Sequence, residues 1–385
     1  MWLAILGTAF VLMVAGLLYL YSRFRKFGIV RRIAGDRRWL LRLSAALPVL
    51  LLIVYGLFDL VNMAIVVIHL AAFWLIGDAI AALIARIRKH RSRCAGQSEN
   101  GREAQSVHRA YITGIVVLAV CAVYLAIGMY QAYHVRRTPY SLTTDKELPD
   151  GKLRIVQIAD SHIGTTFGPE KFAEYLRVIA KENPDILVIT GDFVDDNTTR
   201  DEMLAACRAF AEVKLRYGIW FCYGNHDKGY YNYRGYTWEE LEAALEANGV
   251  TVLEDEAVLL ADSFYIIGRR DRNDAGHGRL TAEELTGGLD KGRYMIVLDH
   301  QPNDYAAESE AGIDLVLSGH THGGQLIPLG PIGRLIGAND RTYGTETRGN
   351  TTFIVTSGIS DWEIRFKTGT KSEYVVIDIV SESRR

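Results

Sequence analysis

The chain has 385 residues, 49% hydrophobic and 23% charged, with a mean hydropathy of +0.05, an apolar excess that points to a membrane-embedded part. The net charge of −2 hides two opposed regions: residues 1–109 hold 15 Lys and Arg against 5 Asp and Glu, which leaves 28 against 40 for the remainder. Four scattered cysteines (Cys94, Cys121, Cys207, Cys222) exclude a disulfide scaffold, and the acidic C-terminal part lacks the basic footprint that nucleic acid requires.

Residues 2–21 form an uncharged apolar run, long enough at about 1.5 Å per residue to cross a hydrocarbon core of about 30 Å. Its basic flank (Arg23, Arg25, Lys26) follows the run, which marks a retained anchor and not a cleaved signal. The apolar stretch from Leu40 to Ala85 is broken by Asp59 and Asn62, so it reads as a hairpin with spans at 40–58 and 62–85. A fourth span, 110–133, ends in Tyr130 and Tyr133, an aromatic pair suited to the interface. The loops after the first and third spans carry eight and seven Lys and Arg, and the hairpin tip carries none. The positive-inside rule then puts both basic loops in the cytoplasm and everything after the fourth span outside it. Asp78 near the end of the third span and His69 within it are read as structural, since no acidic partner lies at helical spacing from His69. The expectation is a multi-pass protein of the cell membrane, with a membrane domain at 1–135, a linker at 136–152 and an extracytoplasmic α/β domain at 153–380.

From Leu153 the pattern changes to short apolar runs separated by amphipathic stretches, as in an α/β domain. Pro169 opens a helix with Phe172, Leu176 and Ile179 on one face, and Thr237 with Glu240 and Thr281 with Glu284 form capping boxes. The strands carry the chemistry, because each ends in metal-ligand types. LRIVQIA precedes Asp160-Ser161-His162; DILVIT precedes Gly191-Asp192-Phe193-Val194-Asp195; GIWFCY precedes Gly224-Asn225-His226-Asp227; YMIVL precedes Asp299-His300; IDLVLS precedes Gly319-His320-Thr321-His322. Sites of α/β sheets form outside the carboxyl ends of strands. In Asp160-x-His162 and His320-x-His322 the alternation of extended chain turns both side chains one way. Glycine at 191, 224 and 319 permits tight turns and close backbone approach. Any one of these residues alone reads more simply as a turn or core residue. Taken jointly, a nitrogen and oxygen donor set without thiolate fits manganese, iron or zinc, in a number sufficient for two ions sharing one carboxylate.

This order of motifs, DxH, GDxxD, GNHD, a lone His and GHxH, resembles the calcineurin-like metallophosphoesterase superfamily over residues 153–378, and the following Gly323-Gly324-Gln325 resembles its bacterial membrane-anchored branch. The resemblance implies a four-layer α/β/β/α sandwich of two mixed sheets flanked by helices, here preceded by a bundle of about four transmembrane helices. It implies that Asp160, His162, Asp192 and His322 hold one divalent metal ion and that Asp192, Asn225, His300 and His320 hold a second, Asp192 bridging. It also implies that His226 protonates or stabilises the leaving oxygen and that Asp227 fixes His226. A hydroxide shared by the two ions would then hydrolyse a phosphate ester or pyrophosphate, and the location suits a lipid-linked or envelope substrate. Asp195 completes GDxxD as a support for the ligands or as a cap of the helix near Thr199. Asp196 beside it is assigned no role. Arg269, Arg270, Arg272 and Arg279 form a basic cluster read as a solvated face or as a phosphate contact. The competing readings are a catalytically inactive binding or scaffold protein of the same fold at the membrane, which the complete ligand set disfavours, and a transporter or sensor, which the lack of paired intramembrane charges disfavours.

Overall fold

The computed structural model describes residues 2–94, 111–230, 234–274 and 278–382, and the chain divides into two compact units, Met1–Ile127 and Gly128–Arg385. The first is built from α1 (Trp2–Phe24), α2 (Gly28–Ala34), α3 (Arg38–Gly56), α4 (Leu60–Cys94) and most of α5 (Ile112–Tyr133). Three helical stretches, Arg38–Gly56, Leu60–Arg91 and Ile112–Tyr133, are long and apolar enough to cross a membrane, and a shorter apolar stretch covers Phe10–Phe24 within α1. The expected spans 40–58, 62–85 and 110–133 fall on α3, α4 and α5, and the expected span 2–21 falls on α1. Residues 95–110, which include part of the second basic loop, lie outside the described residues. Helix α4 outlasts its apolar stretch, because Ala81–Arg93 is rich in the strong helix formers Ala, Leu, Arg and Lys.

Within this unit Asp78 does have a charged partner. Arg23 lies 2.9 Å from it, and the Tyr19 hydroxyl donates to it over 3.0 Å. Trp74 donates to Tyr111, and His69 Nδ1 sits 2.8 Å from the Ile65 carbonyl. The partner of Asp78, near the end of its apolar stretch, is thus supplied across helices, by an arginine 55 positions away whose proximity no helical spacing could reveal.

The second unit runs β1 (Arg136–Thr144), β2 (Lys152–Ile158), α6 (Pro169–Ala180), β3 (Ile186–Thr190), α7 (Arg200–Phe210), β4 (Ile219–Cys222), α8 (Trp238–Ala247), β5 (Val250–Leu253), β6 (Glu256–Leu260), β7 (Phe264–Gly268), α9 (Ala282–Thr286), β8 (Tyr294–Leu298), α10 (Tyr305–Glu310), β9 (Leu315–Ser318), α11 (Leu329–Leu335), β10 (Gly344–Arg348), β11 (Thr351–Val355) and β12 (Glu373–Ser381). Two six-stranded sheets result, in the orders β1-β12-β2-β3-β4-β5 and β10-β11-β9-β8-β7-β6. The neighbours β2 to β5 are parallel in the first sheet and β7, β8, β9 and β11 in the second.

Period-two alternation sorts the side chains of each strand. Ile155 on β2, Ile186 and Val188 on β3, Ile296 on β8 and Leu315 and Leu317 on β9 meet in one apolar cluster shared by both sheets. The alternate residues Val156, Ile158, Leu187 and Ile189 pack instead under α6, α7 and α8. On the second sheet Met295, Val297 and Val316 pack with Ala282, Leu285 and Tyr305 of α9 and α10. Strands buried on both faces have few polar positions to spare, so their polar residues gather at the ends. Phe172, Leu176 and Ile179 of α6 are buried as the sequence predicts, and both capping boxes form.

The stretch 136–152, expected to be a linker, carries β1, which pairs in parallel with β12 from Arg136 opposite Glu373 to Thr144 opposite Ser381. Its sequence RRTPYSLTT has no buried residue. Only Tyr140 and Leu142 of this strand pack, half-buried, against the apolar cluster shared by both sheets, and an edge position tolerates Pro139, so its hydrophobic signal is weak.

Candidate metal centre

The five polar strand ends converge at the carboxyl ends of β2, β3, β4, β8 and β9. Asp160, His162 and His322 bring donor atoms within 4.8 Å of one another, as do Asp192, His300 and His320. The two groups adjoin at Asp192, whose Oδ2 lies 3.1 Å from His300 Nε2 and 3.7 Å from His162 Nε2. Asn225 Oδ1 completes the second group, 3.1 Å from His300 Nε2 and 2.8 Å from His320 Nδ1. All seven predicted ligands are therefore brought together. His226 stands beside them, its ring centre 5.1 Å from that of His162.

The local backbone is strained to achieve this. Asp160, His162, Asp192, His320 and His322 all have φ between 36° and 69°, the left-handed region that costs side-chain-bearing residues on the order of 1 kcal/mol each. Hydrogen bonds between the loops hold them there. Asp160 N–H donates to the Gly191 carbonyl and His162 N–H to that of Asp192; His320 N–H donates to the Asp160 carboxylate, and His226 N–H donates to Asp192 Oδ1 over 2.9 Å. Two glycines make the approach possible. A Cβ on Gly224 would lie 2.2 Å from Asp192 Oδ1, and one on Gly191, at φ 78°, would lie 2.6 Å from His300 Nδ1.

Asp227 acts differently from expectation. Its carboxylate does not orient the His226 ring; it accepts from the backbone N–H groups of Asp192 (2.8 Å), Phe193 (2.8 Å), Val194 (3.2 Å) and Gly224 (2.7 Å). It fastens the GDxxD loop to the GNHD loop. The sequence places Asp227 next to His226, but at this turn the two side chains diverge. Arg234 supports the same turn from outside, donating to the His226 and Asp227 carbonyls.

Electrostatically the cluster is short of positive charge. Burial pushes Asp160 up to about 6 and Asp227 up to about 7. Burial also holds His320 down to about 3 and His322 below its ordinary value, which keeps both imidazoles neutral, as ligation requires. Burial opposes the charges of Asp192 and His300 as well, yet each sustains the other, so Asp192 lies below the carboxylate range and His300 above the imidazole range. His300 Nδ1 is held by the Thr190 carbonyl at 2.8 Å, which directs Nε2 toward Asp192. Among the described residues four buried imidazole nitrogens, His162 Nδ1 and Nε2, His322 Nδ1 and His226 Nδ1, have no hydrogen-bond partner, His162 Nδ1 facing only the Asp195 carboxylate at 3.1 Å. Orphaned imidazole nitrogens among crowded buried carboxylates are a donor set that divalent cations fit.

Asp195 lies beside the first group, its Oδ2 3.1 Å from His162 Nδ1, while the cap of α7 is Thr199 in a box with Glu202; Asp195 therefore contacts His162 and does not cap α7. Asp196 accepts from the Tyr230 N–H, and Asp195, Asp196 and His226 form a further group within 4.8 Å. The arginines divide. Arg269 is buried among Asp299, Asp304 and Glu308, Arg279 pairs with Asp299, and Arg270 lies 3.5 Å from Glu254. These three are turned to internal carboxylates, so a phosphate contact by the cluster as a whole is not what the fold builds; Arg272 alone is exposed.

A sixth strand end escaped the sequence reading. After β11 the chain Thr356–Asp361 passes under the site, where the fully buried Lys367 donates to the Ser357 and Ser360 carbonyls and stands 3.1 Å from Asp361. Trp362 then places its ring 5.6 Å from that of His226, with Tyr230 on another side at 5.1 Å. The signal was available, since TTFIV followed by a run of small polar residues and an aspartate repeats the pattern of the other five strands.

Residues 153–324 match the calcineurin-like phosphoesterase family. An uncharacterized metallophosphoesterase of Aquifex aeolicus is 36% identical over 224 residues, covering 56% of this chain and 82% of the relative. A transmembrane protein with metallophosphoesterase domain from Danio rerio is 31% identical over 246 residues, covering 59% and 53%, and a protein of the same description from Bos taurus is 29% identical over 238 residues, covering 57% and 51%. The chain thus spans about half the length of these two transmembrane relatives. With a metal-ligand cluster at the strand ends of two mixed sheets and a homologue matched over most of its length, the chain belongs to the calcineurin-like metallophosphoesterase family.

Proposed function

We propose that this protein is a membrane-anchored phosphoesterase with a dinuclear centre, acting on a phosphate ester or pyrophosphate outside the cytoplasm. The observation that carries the reading is the position of the Asp192 carboxylate, with one oxygen 3.1 Å from His300 and 3.7 Å from His162, between the two donor groups. Asp160, His162, Asp192 and His322 would hold one divalent cation, and Asp192, Asn225, His300 and His320 the other. Manganese, iron or zinc suits these donors. Two such cations supply a water whose pKa falls from 15.7 toward about 7 and positive charge for the phosphoryl oxygens.

The chain's own groups prepare that chemistry. Thr190 fixes the His300 tautomer, Asp195 steadies His162, and Asp227 locks the two loops that present Asp192 and Asn225. His226 is anchored through its backbone to Asp192, and its ring is free to donate to the leaving oxygen, with Trp362 and Tyr230 limiting access of water beside it. The positive-inside pattern of the loops supports a multi-pass topology with this domain on the extracytoplasmic side, and that side suits a lipid-linked or envelope substrate. The test is hydrolysis of bis(4-nitrophenyl) phosphate by the purified full chain with added Mn²⁺. Turnover that is abolished by chelation and restored by the metal is expected; a fully metal-loaded protein with no turnover on monoester, diester or pyrophosphate probes would overturn the reading.

A further inference from the structure

Beyond the metal centre, the segment just after its last loop is unusual for a folded domain. Between Gln325 and Ala338 five large apolar side chains are exposed: Ile327 at 57%, Leu329 at 48%, Ile332 at 40%, Leu335 at 85% and Ile336 at 68%. Four of them sit on or at the end of α11, and Leu329, Ile332 and Ile336 share its i, i+3, i+7 face. A soluble surface scatters such residues singly; a contiguous set marks a surface that is covered.

Two observations identify what covers it. The first is position. The last turn of α5, which belongs to the second unit, accepts at the Gly128 carbonyl from Lys367 N–H and donates through Gln131 to the Lys367 carbonyl. The next residues, Thr368 and Gly369, donate to the Gln325 carbonyl, and Ile327 N–H donates to Thr368 Oγ1. The exposed apolar segment and the end of an apolar helix of membrane-crossing length therefore flank the same short strip of chain. The second is charge. Arg334, within α11, Arg272 and Arg348 line one cavity of about 460 Å³ together with Asp304 and Asp340; Asp304 turns to Arg269 and Asp340 to Arg348, whereas neither Arg334 nor Arg272 has a carboxylate within ion-pair distance among the described residues. An apolar face edged by free cations is the composition of an interfacial element that meets anionic lipid.

We propose that residues 327–336 form a bilayer-contact surface, with Leu329, Ile332, Leu335 and Ile336 entering the acyl boundary and Arg334 and Arg272 meeting lipid phosphates. The inference is independent of catalysis. It is tested on the full chain in nanodiscs of phosphatidylglycerol and phosphatidylcholine, with an environment-sensitive fluorophore on Leu335→Cys in a Cys94→Ser background, the thiols of Cys121, Cys207 and Cys222 being buried. The control is the same label on Val178→Cys, an exposed position on α6. Nitroxide-labelled acyl chains are expected to quench the label at 335 about threefold more than at 178, and discs of phosphatidylcholine alone to reduce that excess. Equal quenching at the two positions overturns the proposal, as does a signal that follows protein concentration instead of lipid, which would mark a contact between copies. The variant Leu335→Asn with Ile336→Asn should retain hydrolysis of bis(4-nitrophenyl) phosphate at the wild-type rate while losing lipid-dependent protection of 327–336 from hydrogen exchange. Absence of hydrolysis in the wild type, with quenching intact, would count against the phosphoesterase reading and leave the lipid surface standing.

Discussion

Two charged regions of the second unit lie at the ends of neighbouring strands and have opposite fates. Around Arg269 and Arg279, guanidinium groups meet Asp299, Asp304 and Glu308, and the charges cancel within the fold. Around Asp192, the carboxylates meet imidazoles, an amide and backbone N–H groups but no Lys or Arg side chain among the described residues, and buried imidazole nitrogens there have no hydrogen-bond partner among those residues. The difference separates a structural cluster from a functional one. A buried ion network closed by opposite charge contributes fixity, whereas one that is closed only by an added cation is a binding site.

The contrast can be broken at its centre first. Replacing the shared carboxylate, Asp192→Ala, is expected to lower kcat on a phosphodiester by roughly 10⁴-fold or more, because the proposed clamp of two ions on the reacting oxygens would be lost at once; steady-state assay of the variant with added Mn²⁺ checks this, and retention of even a tenth of the activity would remove Asp192 from its role. His226→Ala should cost about 10²–10⁴-fold on an ester with a poor leaving group while metal content stays at the wild-type value. A smaller loss with 4-nitrophenolate, a good leaving group, would locate the defect at the leaving oxygen.

On the closed side of the comparison, Arg269→Met leaves Glu308 and Asp299 buried without that cation and should lower unfolding stability by about 3–5 kcal/mol, with the metal content of the folded fraction unchanged. Thermal melts with metal analysis measure both. Chelation of the wild type makes the reverse change: no side chain is altered, but the open cluster loses its cations, and stability should fall by about 2.7 kcal/mol for each ion removed, relative to protein held at a hundredfold excess of metal over Kd. The smallest effect is expected from Asp195→Ala, which removes the group 3.1 Å from His162 Nδ1 and should weaken metal binding about 10–100-fold with little change in kcat at saturating metal.

How much of this was legible in the sequence follows from what a sequence encodes. The short apolar runs of β2, β3, β8 and β9, the capping boxes of α8 and α9, and the polar residues at five strand ends are local patterns, and local patterns survive in one dimension. The ligand types at Asp160, His162, Asp192, Asn225, His300, His320 and His322 were readable for the same reason. Partners were not. Asp227 next to His226 looked like its orienting group, yet its carboxylate turns to four backbone donors. The arginines stayed open between a solvated face and a phosphate contact because their carboxylates stand 15 to 39 positions away. Lys367 and Asp361 were passed over because a lone lysine reads as surface until its burial is known, and β1 because only two half-buried apolar residues, Tyr140 and Leu142, mark its period.

The most direct test of the central claim is anomalous diffraction from crystals of the full chain grown with Mn²⁺. The account predicts two manganese peaks roughly 3.5–4 Å apart, one against Asp160, His162 and His322, the other against Asn225, His300 and His320, with Asp192 contacting both. A single peak, or two peaks without Asp192 between them, would contradict it.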